Sequence, residues 1–211
     1  MIQGYTEGLI DGIGEDNKEE YLSIILDETK NMEKLVKDMI ELSYSESNAF
    51  KLEITNVNLS KTLGDSLMPF VDVYAKEFSF EYDITRNVHV NADQIKLATA
   101  LRNIIKNAVS YSELQKDTPG VIKVSLKEEN KKMVLKIKNS PAHIDEDEIK
   151  NIWIQFYKKD KSRQRKNGSS GLGLSIIKNI LEKHNLQFSI KNEEEGVAFS
   201  VIFDEYSIDK H

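Results

Sequence analysis

Apolar residues along this chain change their spacing twice, and each change marks a boundary. Residues 1–13 carry Ile2, Tyr5, Leu9 and Ile13 at helical intervals, with no capping residue ahead of them. Glycine and acidic residues (GIGEDN) interrupt the stripe and predict a turn over 12–17. In KEEYLSIILDETKNMEKLVKDMIELSYSES, the residues Tyr21, Ile25, Met32, Leu35, Met39 and Leu42 then alternate steps of three and four, broken only at Glu28. A seam of about four heptads predicts a helix roughly 45 Å long. That length fits one partner of a coiled coil or bundle, or a long amphipathic helix lying on its own domain.

Past SYSESNAF the period shortens to two and a compact α/β region begins near Phe50. KLEIT, FSFEYDI and VHVNA read as strands. A helix is predicted from residue 92 or 93 to about 112, carrying Ile95, Leu97, Ala98, Leu101, Ile104, Ile105 and Ala108. DTPG is a turn, after which VIKVSLKEE and MVLKIKNS alternate on either side of ENKK as a hairpin. Acidic residues at 145–148 open a helix expected to run through Phe156. YKKDKSRQRKNGSS is polar and basic without periodicity, and reads as a mobile loop. A glycine-led helix, LSIIKNILEKH, and two strands, LQFSIKN and GVAFSVIF, complete the chain.

Composition narrows the function classes. With 211 residues, 39% hydrophobic, the chain can bury one good-sized core plus a smaller element, or two small domains. A net charge of −6 with dispersed basic residues argues against nucleic-acid binding as the main function. The absence of cysteine excludes disulfides, thiolate metal sites and a cysteine nucleophile. No apolar run approaches the roughly 18–20 residues that span a bilayer. MIQGYTEGLIDG lacks the features of a signal peptide. The reading is a soluble polypeptide that fits the inner part of a longer membrane protein.

Two local patterns carry chemistry. Gly168, Gly171 and Gly173 place three of the chain's ten glycines within six positions. Their spacing alone fits a surface turn or a loop whose backbone N–H groups hold phosphates. The helix that follows favours phosphate, because its first turn offers unpaired N–H groups and partial positive charge. In LRNIIKNAVSYS, Asn103 and Asn107 stand four apart, so both amides leave one helix face. Asparagine is a poor helix former. Either the pair caps or bridges neighbouring strands, or a side-chain carbonyl serves Mg²⁺, a hard cation that binds alongside substrate phosphates.

LRNIIKNAVSYS resembles the N-box of sensor histidine kinases, NIWIQFYKKDKSR their F-box and ATP lid, and GSSGLGLSIIK their second glycine box. The boxes stand in family order and spacing. YLSIILDETKNMEKLVKDMIELSYSES resembles the second helix of the dimerisation and histidine-phosphotransfer hairpin. The look is that of Gram-positive sensors of the vancomycin-resistance type. The resemblance implies an α+β fold. Residues 1–49 form an incomplete dimerisation hairpin, and 50–211 an α/β-sandwich ATP-binding domain whose mixed sheet is covered on one face by helices. The implied reaction moves the γ-phosphoryl group of Mg·ATP to a histidine, for relay to a response-regulator aspartate. Homodimerisation through the hairpin and a place at the cytoplasmic face of the membrane, reached through upstream segments, are implied too. Residue by residue, the resemblance makes Asn107 the Mg²⁺ ligand and Asn103 its polar partner at the phosphates. Tyr111, Ile144 and Ser170 line the nucleotide. Phe156 and Tyr157 anchor the lid base, and Gly168, Gly171 and Gly173 let backbone approach phosphate. Leu172 and Leu174 hold that loop on the core, while Lys161 and Arg163 are the lid cations that meet the γ-phosphate.

Three departures from the family pattern bear on function. Where relatives keep Asp-x-Gly-x-Gly for the adenine amine, this chain has Asn139, Ser140, Pro141, Ala142 and His143. Asn139 offers a neutral acceptor, weaker than a carboxylate, and Pro141 and His143 cannot take glycine's left-handed turns cheaply. His143 reads as a rim residue. Ser110 stands where many relatives have a phosphate-contacting lysine. The four histidines, His89, His143, His184 and His211, lie outside any His-Glu-x-x-x-Pro acceptor motif, so the chain alone is not expected to phosphorylate itself. The alternative function is a degenerate nucleotide-binding or dimerisation module with little kinase activity. An anti-sigma-factor kinase fits the sandwich but not the long helix.

Overall fold

The computed structural model describes residues 1–13, 17–46, 51–112, 119–157 and 171–209. Helix α1 (Ile2–Ile10) turns at Gly12, whose φ of 70° suits glycine, into α2 (Lys18–Glu46). The two helices pack together with the Tyr5 and Tyr21 rings edge to face at 4.9 Å. At 29 residues α2 has the predicted length, about 44 Å. Its seam divides: Met32, Leu35 and Met39 are exposed, while Leu42 is buried in the core of the α/β region, where α2 packs on α6.

The α/β region contains two sheets. Strands β2 (Phe78–Ile84), β4 (Gly120–Glu129), β5 (Lys132–Ser140), β7 (Gly196–Phe203) and β6 (Gln187–Glu193) lie side by side in that order. Only β2 and β4 are parallel. Alternation decides the faces. Ile122, Val124 and Leu126 point inward from β4, and Met133, Leu135 and Ile137 from β5. The outer face carries ion pairs such as Lys123–Glu81 (2.9 Å) and Lys136–Glu193 (3.0 Å). Helices α3 (Leu59–Tyr74), α4 (Gln94–Ser110) and α6 (Gly173–Lys183) form the covering layer, with α4 between the other two. This is the one-face-covered mixed sheet that the resemblance implies. A second sheet of β1 (Thr55–Asn58), β3 (Val88–Ala92) and β8 (Ser207–Ile208) was not foreseen.

The β4–β5 turn places Asn130 and Lys131 at φ of 52° and 63°, the positive pair that matches strand twist in a two-residue hairpin. Elsewhere tertiary contacts override the local pattern. KLEIT shares only Thr55 with β1, because the Glu53 N–H is taken by Asp93 Oδ2 at 3.1 Å instead of a strand neighbour. The helix predicted through Phe156 is only α5 (Glu146–Ile149), followed by turns. Trp153 there packs its ring on Phe188 and Phe199 at 5.3 and 6.1 Å, and Phe156 adopts φ of 62°. Helix α3, to which the sequence pattern assigned no element, contains Gly64 and Pro69. Its fully buried Leu59, Leu63 and Leu67 outweigh both breakers.

Candidate functional site

Helices α4 and α6 run antiparallel, and their facing ends build the site. Asp93 caps α4, accepting from Lys96 N at 3.0 Å, and the helix brings Asn103 and Asn107 one turn apart near its C-terminal end. Gly173 opens α6. Its α-carbon faces both amides: a β-carbon built there would lie 3.7 Å from Asn103 Oδ1, 3.7 Å from Asn107 Oδ1 and 3.8 Å from Asn107 Nδ2. Asn103 donates its Nδ2 to Thr99 O at 3.1 Å, which leaves its carbonyl toward Gly173. The Asn107 side-chain amide makes no hydrogen bond to the described residues. Leu172 stands at the N-cap of α6, and its own side chain makes no cap hydrogen bond to the first-turn N–H groups. The site therefore joins two amide carbonyls to a positively polarised helix terminus.

The flanks hold this arrangement. Gly171 has φ of 75°, and its carbonyl accepts the Phe156 N–H at 3.0 Å. Phe156 thus ties the segments by its backbone while its ring is exposed. Leu172 is fully buried and Leu174 packs against the core. The Tyr157 hydroxyl reaches Glu148 Oε1 at 3.4 Å. Tyr111 ends α4 as its C-cap. Asn139 terminates the inward apolar row of β5, buried, with its Nδ2 lacking a hydrogen-bond partner among the described residues. Ile144 is gripped at both backbone groups by Asn192: its N–H donates to Oδ1 at 3.0 Å, and its carbonyl accepts from Nδ2 at 2.7 Å. His143 is exposed beside Asp145, 3.8 Å away. Lys161, Arg163, Gly168 and Ser170 lie outside the described residues.

The sequence profile of the histidine kinase-, DNA gyrase B- and HSP90-like ATPases matches residues 92–207, more than half of the chain and the whole of this site. The His Kinase A (phospho-acceptor) domain profile matches residues 1–48. The chain belongs to the histidine kinases. It is similar to the sensor histidine kinase CssS of Bacillus subtilis, 27% identical over 95% of the chain and 42% of the relative. Similarity to the sensor protein kinase WalK of Staphylococcus haemolyticus is 30% identity, over 87% of the chain and 30% of the relative. The kinase chain thus spans less than half the length of these curated relatives. In fold it resembles the Acinetobacter baumannii histidine kinase AdeS (TM-score 0.74, 22% identity, 96% of this chain and 92% of that one). It also resembles histidine kinase ThkA in complex with response regulator protein TrrA (TM-score 0.69, 24% identity, 96% and 58% covered). Among the described residues, no helix of the kinase chain is long and apolar enough to cross a membrane.

Three features of the kinase chain were not legible in its motifs. Trp153 is a ring anchor that fastens the turns after α5 onto β6 and β7. His184 bridges α6 to α4. Lys106, between the two asparagines in sequence, is half-buried where α2 approaches α4. Burial, then the hydrogen bond and charge of Lys34, pull its ammonium down from 10.5 to about 8, against an opposing pull from Asp38. The folded chain therefore releases this proton earlier than the unfolded chain. Between about pH 8 and 10.5 the unfolded state holds more protons, so this contribution to stability rises with pH. In thermal unfolding across pH 7 to 10, Lys106→Met should flatten the rise seen in the parent. Parallel pH curves for the two proteins would assign the effect to other groups.

Proposed function

We propose that the chain binds Mg·ATP between α4 and the N-terminus of α6 and transfers its γ-phosphoryl group to a histidine nitrogen. A P–N bond forms as the β–γ phosphoanhydride breaks, and ADP leaves. The reading rests on one observation above the rest: Asn103 and Asn107 converge on Gly173, with the Asn107 amide unengaged by the described residues. An amide carbonyl next to a helix N-terminus fits Mg²⁺ carried by phosphates, since the ion takes oxygen ligands and keeps much of its shell from substrate and water. Bound there, Mg²⁺ neutralises phosphate charge.

The chain's own residues do the rest. Asn107 would ligate Mg²⁺ through its side-chain oxygen, and Asn103 would orient the phosphates. Gly171 and Gly173 admit backbone N–H groups to them, and Leu172 and Leu174 fix that loop to the core. Asn139 faces the base and Tyr111 and Ile144 flank it. Phe156 and Tyr157 fasten the lid base, while Lys161, Arg163, Gly168 and Ser170 complete the phosphate contacts. Catalysis is then mainly positioning and charge stabilisation. The reading takes residues 1–49 as the dimerisation hairpin, 50–211 as the ATP-binding domain, and a response regulator as the second partner. It places the full-length protein at the cytoplasmic face of the membrane.

The four histidines stand at 89, 143, 184 and 211, none within α1 or α2. The test therefore supplies the acceptor separately, as a helical hairpin bearing a His-Glu-x-x-x-Pro segment. Label from γ-phosphate-tagged ATP should appear on the hairpin, be removed by acid, and disappear with Asn107→Ala. Losing proximity makes transfer slow but measurable at high acceptor concentration. ATP bound without transfer at any acceptor concentration would instead support a degenerate nucleotide-binding module.

A further inference from the structure

The end of the α4–α6 pair opposite the asparagines contains a hydrogen-bonded node that the kinase reading does not use. His184 sits at the C-cap of α6, and its Nδ1 lies 2.7 Å from Ile180 O. A carbonyl can only accept, so Nδ1 carries the proton. Nε2 is then bare, and it accepts the backbone N–H of Asp93 at 3.0 Å. Asp93 is buried and fully committed: Oδ1 takes Lys96 N at 3.0 Å and Oδ2 takes Glu53 N at 3.1 Å. One imidazole thus joins the last turn of α6 to the first turn of α4.

The distances from this node to the site match on the two helices. From Asp93 to Asn103 is ten residues, about 15 Å of helix, and from His184 back to Gly173 is eleven, about 16 Å. Between node and site the two helices meet through apolar side chains such as Leu101, Ile104, Ile177 and Ile180. Apolar contact is non-directional, so it sets the axial position less sharply than a hydrogen bond does. A directional bond at one end does fix it, and the stiff helices carry that setting to the other end.

We propose that His184 is a positioning residue: through its bond to the Asp93 N–H it sets the axial register of α6 on α4, and so the placement of Gly173 against Asn103 and Asn107. The functional part of this proposal rests on the nucleotide reading above; the register part does not. The full chain is compared with His184→Phe, which keeps ring bulk but removes the acceptor, and His184→Gln, whose carbonyl can accept the same N–H. At a temperature where each is folded, the side-chain amide resonance of Asn107 is recorded without nucleotide, followed by the affinity for a non-hydrolysable Mg·ATP analogue. His184→Phe should shift the Asn107 resonance and weaken binding about tenfold or more, the worth of one misplaced hydrogen bond to a charged group. His184→Gln should restore both. Unmoved Asn107 resonance in folded His184→Phe overturns the proposal. If the parent binds no analogue, the nucleotide reading fails, and the resonance alone decides the register. If His184→Phe does not fold, reciprocity supplies the test, because a node that affects binding must respond to it. Adding Mg·analogue to the parent should then slow exchange of the Asp93 amide, and unchanged exchange overturns the proposal.

Discussion

Gly173→Ala is expected to fold as well as the parent or slightly better, and to lose nucleotide binding by about a hundredfold, near 2.7 kcal/mol. The added methyl meets nothing closer than 3.7 Å, an ordinary contact, so the protein without nucleotide is not strained. Alanine in place of glycine also favours the helical state by up to about 1 kcal/mol. The methyl nevertheless stands beside the two asparagine carbonyls at the first turn of α6, where the proposed function brings phosphate oxygens to the backbone. A thermal melt and a nucleotide titration separate the two effects. Undiminished affinity in the variant would remove the phosphates from this helix terminus.

The same substitution at Gly196 should do the opposite. There the β-carbon would collide with the Asn139 carbonyl oxygen and come within 3.0 Å of Lys138 Cε and Ser140 Cβ. The lysine tip can swing aside, but the strand backbone is held by pairing of β5 with both β4 and β7. Overpacking of this kind costs about 2–3 kcal/mol, or roughly 5–10 °C in unfolding midpoint for a chain of this size. An unchanged midpoint would mean that this end of the β5–β7 pair relaxes freely. Because Asn139 lies on the displaced segment, any loss of nucleotide affinity here should accompany the loss of stability, which distinguishes it from Gly173→Ala.

Strands with clean alternation were legible without structure: FSFEYDI and VHVNA match β2 and β3 residue for residue, and the ENKK hairpin closes where its polarity placed it. Helix α3 was not, because Gly64 and Pro69 interrupt a pattern that only burial of Leu59, Leu63 and Leu67 restores. The turns after α5 depend on Trp153 meeting Phe188 and Phe199, rings that lie far along the chain. At the site, i to i+4 spacing placed Asn103 and Asn107 on one face, and the glycine run located the start of α6. The Asp93–His184 bond joins residues 91 positions apart, and no local spacing announces it. A capping aspartate before a helix can be read from sequence; its use of an imidazole as acceptor cannot.

The hydrogen bond from Phe156 N to Gly171 O joins two chain segments separated by the basic sequence KKDKSRQRKNGSS. Because the ends of that sequence already meet, its length is almost decoupled from the stability of the sandwich. By loop-closure entropy, doubling it costs only about 0.6 kcal/mol. Residues can therefore be added or removed between these two anchors, and cations with them, while the helices and sheet that hold the asparagines stay as they are.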